Sequence, residues 1–538
     1  MRRPAIEALR EASALFAAGR LEEAKRACRK LLAKRPDIAE AHVVFGAIHE
    51  QMGDEARAHE SHARALKLRP EWSEAHVQLT IADLFGDYGR YAEAEAHCRR
   101  AVELQPDLAD ARYNLAGTLN ALGRPAEAIA ELQELLRRAP QAADGRVQLL
   151  QLLKEERRFD EMEAVARHGR ALHPSEPRYP KEVGLALWWQ GDFEQAVSAF
   201  RDAADLARDP ESEELAEARF LEGGSLLALG RLAEGWAAYH WRPTRRRLSA
   251  VHPELVPDPR LIAAASAPKR LRILAEQGIG DELFFLRFAP ALRSRGHRLS
   301  VSCEPKLATL LASMPHLVDG INEPGEVDFT LASGDLPLAS GHALAPPLAL
   351  PVDAERRERI ATKLRGFGPP PYIAVTWRAG LMPDEPKPSH AYWAKHIAPD
   401  QLGRALRAVD ARIAIVQRRP QADDLRRFTE ALGREALDLG AVNDDLRDAI
   451  ALLSLVDDYV GVSNTNLHLR AGLPRHSARV LVFNRPEWRW GTRGDASAWF
   501  PGFVLYRAAP GSDWTDALLR LESDLVARSA RSAAASQQ

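Results

Sequence analysis

The sequence predicts an all-α solenoid over about the first 242 residues, followed by two α/β lobes that each contain a mainly parallel sheet covered by helices. Two observations lead to this fold class. Prolines recur in the first half at intervals of 34 to 36 residues, and short apolar runs alternate with helical stretches after Lys269. The composition, with 46% hydrophobic and 28% charged residues, is that of a globular protein and excludes a disordered, collagen-like or fibrous chain.

A helix–turn–helix unit repeats along the first half. Its prolines are Pro36, Pro70, Pro106, Pro140 and Pro174. Before four of them stand a glycine and then an alanine at fixed distances: Gly19, Gly53, Gly89 and Gly123, with Ala24, Ala58, Ala94 and Ala128. Glycine permits the tight turn, alanine lets two helices approach, and proline ends the second helix. The pattern resembles the tetratricopeptide repeat and predicts about seven units over residues 5–242 as a superhelical solenoid, with Arg157 and Met162 replacing Gly and Ala in a degenerate fifth unit.

The second half changes its pattern. Residues 243–268 are rich in proline and predict an irregular linker. Strand-like runs then alternate with helical stretches, which predicts parallel sheets with helices on both faces. The predicted strands are Leu271–Ala275, Leu299–Cys303, Phe329–Ala332, Tyr372–Trp377, Ile413–Gln417, Tyr459–Val462 and Val480–Phe483. A stretch rich in Pro and Gly at 341–371 divides them into two Rossmann-like lobes, 269–350 and 351–527, and a flexible tail is expected at 528–538.

The first motif that suggests chemistry follows the first predicted strand. Gly278 and Gly280 precede Asp281 at the start of a helix. Asp is a preferred N-cap residue, which is a purely structural explanation. A carboxylate at the lip of a cleft between lobes could instead take a proton from an acceptor hydroxyl. The residues alone leave both interpretations open.

A second motif follows a buried strand near the carboxyl end of the chain. Ser463, Asn464, Thr465 and Asn466 are followed by His468 at the start of a helix. Free backbone N–H groups and polar side chains at such a turn favour binding of phosphate or ribose. A simple capping cluster is the alternative, but five polar residues exceed what one cap needs.

Two further segments are candidates for ligand contacts. Thr376–Gly380 ends a strand, and Arg378 with the neighbouring backbone amides could hold a pyrophosphate, with Lys387 in the loop that follows. The aromatic residues of 486–491 and 498–501 could stack on a base or sugar, or pack the lobes together.

Several classes of function are not favoured by the sequence. We find no D-x-D, P-loop, H-E-x-x-H or G-x-S-x-G motif, which argues against metal-dependent sugar transfer, NTPases, zinc proteases and serine hydrolases. The net charge of −2 gives no reason to expect nucleic acid as a partner. Three cysteines without a C-x-x-C pair, no signal peptide and no apolar run of membrane-spanning length predict a cytoplasmic protein with no membrane span.

Taken together and in this order, the segments EQGIGDELFFLRF, CEP, TWRAG, GVSNTNLHLRAG and PEWRW…WFPGF resemble the bacterial tetratricopeptide-repeat glycosyltransferases. Their catalytic half is a GT-B fold similar to heptosyltransferases and, more distantly, to O-GlcNAc transferase. The resemblance implies that Asp281 is the general base. It implies donor-nucleotide contacts at Gly278, Gly280, Trp377, Arg378, Gly380, Gln417, Ser463, Asn464, Thr465, Asn466 and His468. Two departures are Ser-Asn-Thr at 463–465 where Asp-Thr-Gly is usual, and Ala498 where Pro is frequent.

The implied activity is metal-independent transfer from a nucleotide sugar, without another cofactor, to Ser or Thr hydroxyls of a protein held on the concave face of the solenoid. By family association the acceptor would be flagellin and the donor a nonulosonic acid. A scaffold protein whose GT-B half is inactive or only senses a nucleotide is the alternative from another class. A lipopolysaccharide-type transferase acting on glycan is a third, against which the solenoid counts.

Overall fold

The computed structural model describes residues 3–70, 72–209, 211–380, 395–474, 477–483, 487–508 and 513–536. The chain divides into two compact units, Met1–Pro174 and Ser175–Gln538. The first unit is built from helix pairs alone, whereas the second combines further helix pairs with two parallel sheets.

Ten helices make up the described part of the first unit. They are α1 Arg3–Ala17, α2 Leu21–Lys34, α3 Ala39–Gln51, α4 Glu55–Leu68, α5 Glu74–Asp87, α6 Tyr91–Leu104, α7 Ala109–Ala121, α8 Pro125–Arg138, α9 Ala143–Glu155 and α10 Phe159–Leu172. The second helix of each pair ends two residues before one of the five periodic prolines. The residue before a proline avoids the helical region of backbone space, which explains these positions.

The residues predicted to allow the turns do so. The four repeat glycines adopt positive φ between 71° and 76°, and the four repeat alanines are buried. In the fifth pair Arg157 adopts the same left-handed turn at φ 59°, and Met162 is fully buried in place of the alanine. A non-glycine residue at positive φ is strained, so packing of the helix pair keeps the turn where the sequence pattern has decayed.

The second unit begins with two more helix pairs. The four helices of these pairs are α11 Arg178–Gln190, α12 Phe193–Leu206, α13 Glu213–Ala228 and α14 Leu232–Tyr239. Residues 243–268 were expected to form an irregular linker, but the structure has two helices there, α15 Pro243–Val251 and α16 Arg260–Ala263. Pro243 stands at the first position of α15, where its missing N–H costs nothing.

A four-stranded parallel sheet follows, in the order β3-β2-β1-β4. Its elements are β1 Arg270–Leu274, α17 Ile279–Leu286, α18 Ala289–Ser294, β2 Arg298–Ser302, α19 Pro305–Leu311, β3 Gly320–Ile321, β4 Phe329–Ala332 and α20 Leu336–Ser340. Helices α17 and α18 are separated at Arg287 and Phe288, just before Pro290.

A six-stranded parallel sheet completes the unit, in the order β10-β9-β8-β5-β6-β7. Its elements, after α21 Ala354–Phe367, are β5 Tyr372–Val375, α22 Pro399–Leu406, β6 Arg412–Ile415, α23 Ala422–Leu432, β7 Leu437–Asp438, α24 Leu446–Leu453, β8 Asp458–Val462, α25 Thr465–Ala471, β9 Ala478–Val482, β10 Phe503–Arg507 and α26 Thr515–Ser536. The central strands β8 and β5 are buried along their whole length, as expected for strands with both faces covered.

The structure differs from the sequence prediction at five further elements. Strands β3, β7 and β10 were not predicted; β3 and β7 have two residues each, too short for a hydrophobic period to be visible. Helix α21 occupies much of the stretch expected to be a Pro- and Gly-rich break, and α26 continues to Ser536 through most of the expected flexible tail.

An aromatic cluster joins α14 to the sheets within the second unit. Trp236 makes edge contacts with Phe285, Phe288, Trp488 and Trp499 at ring-centroid distances of 5.3 to 6.2 Å. Its Nε1 donates to the carbonyl oxygen of Ala343 at 2.8 Å. The last helix pair is therefore part of the same hydrophobic core as the sheets.

Candidate functional site

A cavity of about 220 Å³ lies where strands of both sheets end. Most of the segments that line it follow β1, β5, β6 and β8, so they enter the cavity from the carboxyl ends of parallel strands, and Lys395, Asn443 and Glu487 complete the lining. The lining residues are Gly278, Ile279, Gly280, Asp281, Thr376, Arg378, Ala379, Gly380, Lys395, Val416, Gln417, Arg418, Asn443, Ser463, Asn464, Thr465, Asn466, His468 and Glu487. All the predicted site residues except Trp377 are among them.

The turn after β1 brings α17 against α25. A Cβ at Gly280 would lie 3.2 Å from Cδ2 of His468 and 3.4 Å from Oγ1 of Thr465, so glycine allows this close approach. Glu282 fixes the turn, because its Oε1 accepts from the backbone N–H groups of Glu276 and Gln277, both at 3.0 Å. Burial raises the pKa of Glu282 to about 7, although these two hydrogen bonds lower it.

Asp281 is held by an arginine from the other end of the unit. The Nη2 of Arg489 donates to Oδ1 of Asp281, and the Asp281 side chain keeps 32% of its surface exposed. Arg489 is buried and lies between the rings of Phe284, at 4.8 Å, and Trp488, at 4.3 Å. The carboxylate at the cavity lip is therefore oriented by a cation that is itself fixed by aromatic packing.

Glu487 connects this pair to the second predicted motif. It lies 3.3 Å from Nη1 of Arg489 and 3.0 Å from Nζ of Lys395, and it accepts a hydrogen bond from Oγ of Ser463 at 2.8 Å. Burial opposes ionisation of Glu487, but Lys395 and Arg489 outweigh it and lower the pKa of the carboxyl to about 2. Charges of alternating sign thus run from Asp281 through Arg489 and Glu487 to Lys395.

Asn464 has a structural role in the turn. Its Oδ1 accepts from the backbone N–H of Asn466 at 3.0 Å and caps α25. Its Nδ2 donates to Oγ1 of Thr376 at 2.8 Å, and that hydroxyl shares a 2.7 Å hydrogen bond with the Tyr459 hydroxyl. The capping interpretation therefore describes Asn464, while Thr465 and Asn466 line the cavity beside it.

His468 stands on α25 one turn beyond the cap. Its ring makes edge contacts with Phe500 at 5.2 Å and Phe284 at 6.2 Å. Its Nδ1 is buried and has no hydrogen-bond partner among the residues that the structure describes. Burial, together with the positive charges of Arg489 and Arg287, lowers the pKa of His468 well below its ordinary value, so the imidazole is neutral at pH 7.

The segment after β5 is fixed by Gln417. Its Oε1 accepts from the backbone N–H groups of Trp377 and Arg378 at 3.1 and 3.0 Å. The Nη2 of Arg378 donates to the carbonyl oxygen of Arg419 at 2.8 Å, and Gly380 adopts a left-handed φ of 68°. Trp377 is the predicted site residue that the cavity does not include, because its side chain is fully buried and stacks on Phe428 at 5.4 Å.

Sequence reasoning missed the charges that surround Asp281. Two of these charges, Glu487 and Arg489, lie inside the aromatic segment 486–491, and the third, Lys395, lies after the loop that contains Lys387. No sequence spacing connects them to Asp281, which lies 208 residues from Arg489. The aromatic segment was expected either to stack on ligand or to pack. Trp488, Trp490, Trp499 and Phe500 are all buried, which supports packing. Lys387 and Pro486 lie outside the described residues.

Two searches for other features cover only the described part of the chain. There, no helix is long and apolar enough to cross a membrane. In the same residues, no three or more His, Cys, Asp and Glu side chains are grouped so that they could hold a metal ion.

Comparisons with known proteins identify the repeats. Two family models described as tetratricopeptide repeat match residues 9–71 and 87–179, so the N-terminal region carries tetratricopeptide repeats. Protein FlbA of Caulobacter vibrioides is 27% identical over 383 residues, which cover 65% of this chain and 62% of that protein. The chain thus spans less than two thirds of the length of this relative, a distant homologue.

Solved structures that resemble the chain are repeat proteins. YrrB, described as a TPR protein with an unusual peptide-binding site, is 19% identical, covers 36% of this chain and 97% of its own, and has a TM-score of 0.26. The C-terminal part of a TPR repeat-containing protein from Cytophaga hutchinsonii is 14% identical, covers 43% and 93%, and has a TM-score of 0.32. At these TM-scores neither similarity carries an inference about this chain.

Proposed function

We propose that this protein is a metal-independent glycosyltransferase of the GT-B type that moves a sugar from a nucleotide sugar to a Ser or Thr hydroxyl of a protein partner of its tetratricopeptide repeats. One observation carries the proposal. A single cavity collects Asp281, the polar turn at 463–466, His468 and Arg378 at the carboxyl ends of parallel strands, which is where open α/β sheets bind ligands.

The proposed reaction is one direct displacement. Asp281 takes the proton of the acceptor hydroxyl, whose oxygen forms a bond to the anomeric carbon. The bond from that carbon to the phosphate oxygen breaks, and the nucleotide leaves with the electron pair. Arg378, Lys395 and the amides of the 378–380 turn offer positive charge to the departing phosphate.

Arg489 would orient the base. Its Nη2 donates to Oδ1 of Asp281 and holds the carboxylate at the cavity lip. Glu487 also faces Arg489, at 3.3 Å from Nη1, and so helps to fix the guanidinium in this position.

A second candidate function is a protein-interaction scaffold whose sheet region is catalytically inactive. The pairing of Asp281 with Arg489 favours it, since one oxygen of the carboxylate is already engaged by a buried guanidinium. The tetratricopeptide repeats support protein partners in either case. The scaffold requires no turnover, so measurements of binding and of catalysis separate the two functions.

The first test measures ligand binding. The melting temperature of the full chain is recorded with UDP, GDP, ADP or CMP. A nucleotide present at about 100 times its Kd stabilises the folded chain by about 2.7 kcal/mol, so one nucleotide should raise the melting temperature by several degrees. If none of the four changes it, the nucleotide-sugar proposal loses its basis and the scaffold is favoured.

The second test separates binding from catalysis. Asp281→Asn should lower transfer by about 10²- to 10⁴-fold, because a general base contributes that much, while the nucleotide still raises the melting temperature. Glu304→Gln is the matched control, since Glu304 is an exposed acid of the same sheet region that does not line the cavity. Full turnover in Asp281→Asn would remove Asp281 as the base.

A further inference from the structure

The first helices of the third, fourth and fifth repeats form a groove on the first unit. Two cavities, of about 620 and 590 Å³, share Asp83, Tyr113 and Asn114 and so belong to one continuous surface. The Nδ2 of Asn114 on α7 donates to Oδ1 of Asp83 on α5 at 2.7 Å, which fixes the two helices side by side. We call this surface, lined by α5, α7 and α9, the repeat groove.

Exposed tyrosines are concentrated at this groove. Tyr91 and Tyr113 line it with 36% and 37% of their surface exposed, and Tyr88 at the end of α5 is 43% exposed. They are the large apolar side chains that stand exposed in the described part of the first unit. Exposed tyrosines grouped on one surface mark it as a place where a partner can bind.

The charges of the groove all have one sign. Asp83, Asp87, Asp110 and Asp144 line it, and neither cavity is lined by a Lys or Arg among the described residues. No ion pair of these four carboxylates with a described residue is seen. Arg69, near one end of the groove, lies over the ring of Trp72 at 5.7 Å and pairs with Glu40 instead.

Four glutamates elsewhere in this unit have an arginine as ion-pair partner. Glu23, Glu93, Glu127 and Glu161 each pair with an arginine three residues earlier, at the start of the second helix of a pair. In the groove, burial together with Asp87 and Asp110 raises the pKa of Asp83, since the like charges repel one another. The groove thus brings like charges together, whereas these four glutamates each have an arginine beside them.

We infer that the repeat groove binds an extended, lysine- or arginine-containing segment of a partner protein, whose cations pair with Asp83, Asp110 and Asp144 and lie on Tyr91 and Tyr113. Charge complementarity supports this occupant, because both unpaired carboxylates and aromatic faces attract cations. The inference concerns the repeats and does not depend on the sugar-transfer reaction.

The positions of the carboxylates also suggest a spacing. Asp110 and Asp144 are each the second residue of successive first helices, α7 and α9, and packed helices lie about 8–10 Å apart. Asp83 stands further along its helix, as the tenth residue of α5, so the spacing is set by Asp110 and Asp144. A polyproline II segment rises about 3.1 Å per residue with three residues per turn, so every third side chain lies on one face about 9 Å from the next. Cations at every third position of the bound segment therefore match the groove best.

Fluorescence anisotropy of labelled peptides on the full chain tests this inference. The probes are a ten-residue peptide of Lys, Ala and Pro with Lys at every third position, a peptide with Glu in place of Lys, and one with the same composition and adjacent lysines. We expect the first to bind and the Glu peptide to fail. Affinity should fall as salt is raised from 50 to 300 mM, because exposed charge pairs are screened.

The matched variants locate the site. Asp83→Asn with Asp110→Asn preserves side-chain shape and should weaken binding of the spaced-lysine peptide by about tenfold. Asp107→Asn is the control, since Asp107 is an exposed acid of the same region that pairs with Arg138 and does not line the groove. Equal binding of the Glu peptide, or unchanged affinity in the double variant with its helical circular dichroism intact, would overturn the inference. Equal affinity for adjacent lysines would overturn the spacing.

Discussion

Acidic residues have different partners in the repeats and around the cavity. In the repeats, Arg20, Arg90, Arg124 and Arg158 each pair with a glutamate three residues later on the exposed start of a helix. In the second unit, the pair Arg242–Glu276 spans 34 residues and is about 1% exposed. Arg245–Asp335 spans 90 residues, and Arg489–Asp281 spans 208.

This difference separates what each kind of pair does. An exposed pair within one helical turn gains little, because water screens it and both side chains lose freedom. A buried pair costs desolvation, and it is stable only while both partners are present. We therefore expect mutations of repeat pairs to be tolerated, and mutations of long-range pairs to disturb the sheets and the cavity together.

The largest effect should come from Arg242. It pairs with Glu276 at 2.6 Å and with Asp335 at 3.0 Å, and Glu276 also accepts from the backbone N–H of Gly334. Arg242→Ala leaves buried carboxylates without this cation and should cost about 3–5 kcal/mol, seen as a lower melting temperature of the second unit. Arg242→Lys is the control that keeps the charge and should recover part of the loss. An unchanged melting temperature in Arg242→Ala would contradict the importance of the long-range pairs.

An intermediate effect is expected from pH at Glu282. Its pKa is about 7 in the folded chain and 4.5 in the unfolded one, so the folded state holds a proton that the unfolded state has lost between these values. Stability should therefore fall as pH rises from about 4.5 to 7, on the order of 3 kcal/mol, given about 1.4 kcal/mol per pKa unit.

Glu282→Gln removes this titration while keeping an oxygen for the two backbone N–H groups. Melting temperatures at pH 5 and pH 8 should differ less in the variant than in the unmodified chain. Parallel decreases in the two proteins would show that another group causes the pH dependence.

The smallest effect should come from a repeat pair. Arg124 pairs with Glu127 at 2.6 Å and with the half-buried Glu95 at 2.7 Å, and Arg124 and Glu127 are exposed. Arg124→Gln should change the melting temperature by no more than about 1 °C, since exposed ion pairs contribute little. A loss as large as that in Arg242→Ala would remove the distinction between the two regions.

The repeats could be read from the sequence because their contacts are local and periodic. Proline, glycine and alanine return at the same positions in each pair, and each residue type serves one backbone requirement. The same reasoning missed β3 and β7, which are too short to have a pattern, and the helix α21, whose flanking prolines and glycines suggested a break.

The candidate site was found in part for a related reason. Arg378 and Ser463 stand just after β5 and β8 of one sheet, and the carboxyl ends of parallel strands meet at one edge, so strand prediction was enough to bring these two together. Asp281 follows β1 of the other sheet, and only the packing of the two sheets places it at the same cavity. The side chain of Trp377 points away from its cavity-lining neighbours and packs in a hydrophobic core, which the resemblance did not predict. The roles of Asn464 as a cap and Gln417 as an acceptor for backbone amides depend on contacts that no sequence spacing encodes.

The sequence by itself determined the repeat period, the alternation of strand and helix, and the short list of polar turns that meet at the strand ends. These are properties of neighbouring residues, fixed by backbone geometry and hydrophobic pattern. Only the tertiary structure decided that Arg489 holds Asp281 and that Glu487 faces both Arg489 and Lys395. It also decided that the aspartates of α5 and α7 lie together, with no Lys or Arg among the described residues that line their groove. Burial and charge at these places depend on chain segments far apart in sequence, and packing of the whole unit is what brings them into contact.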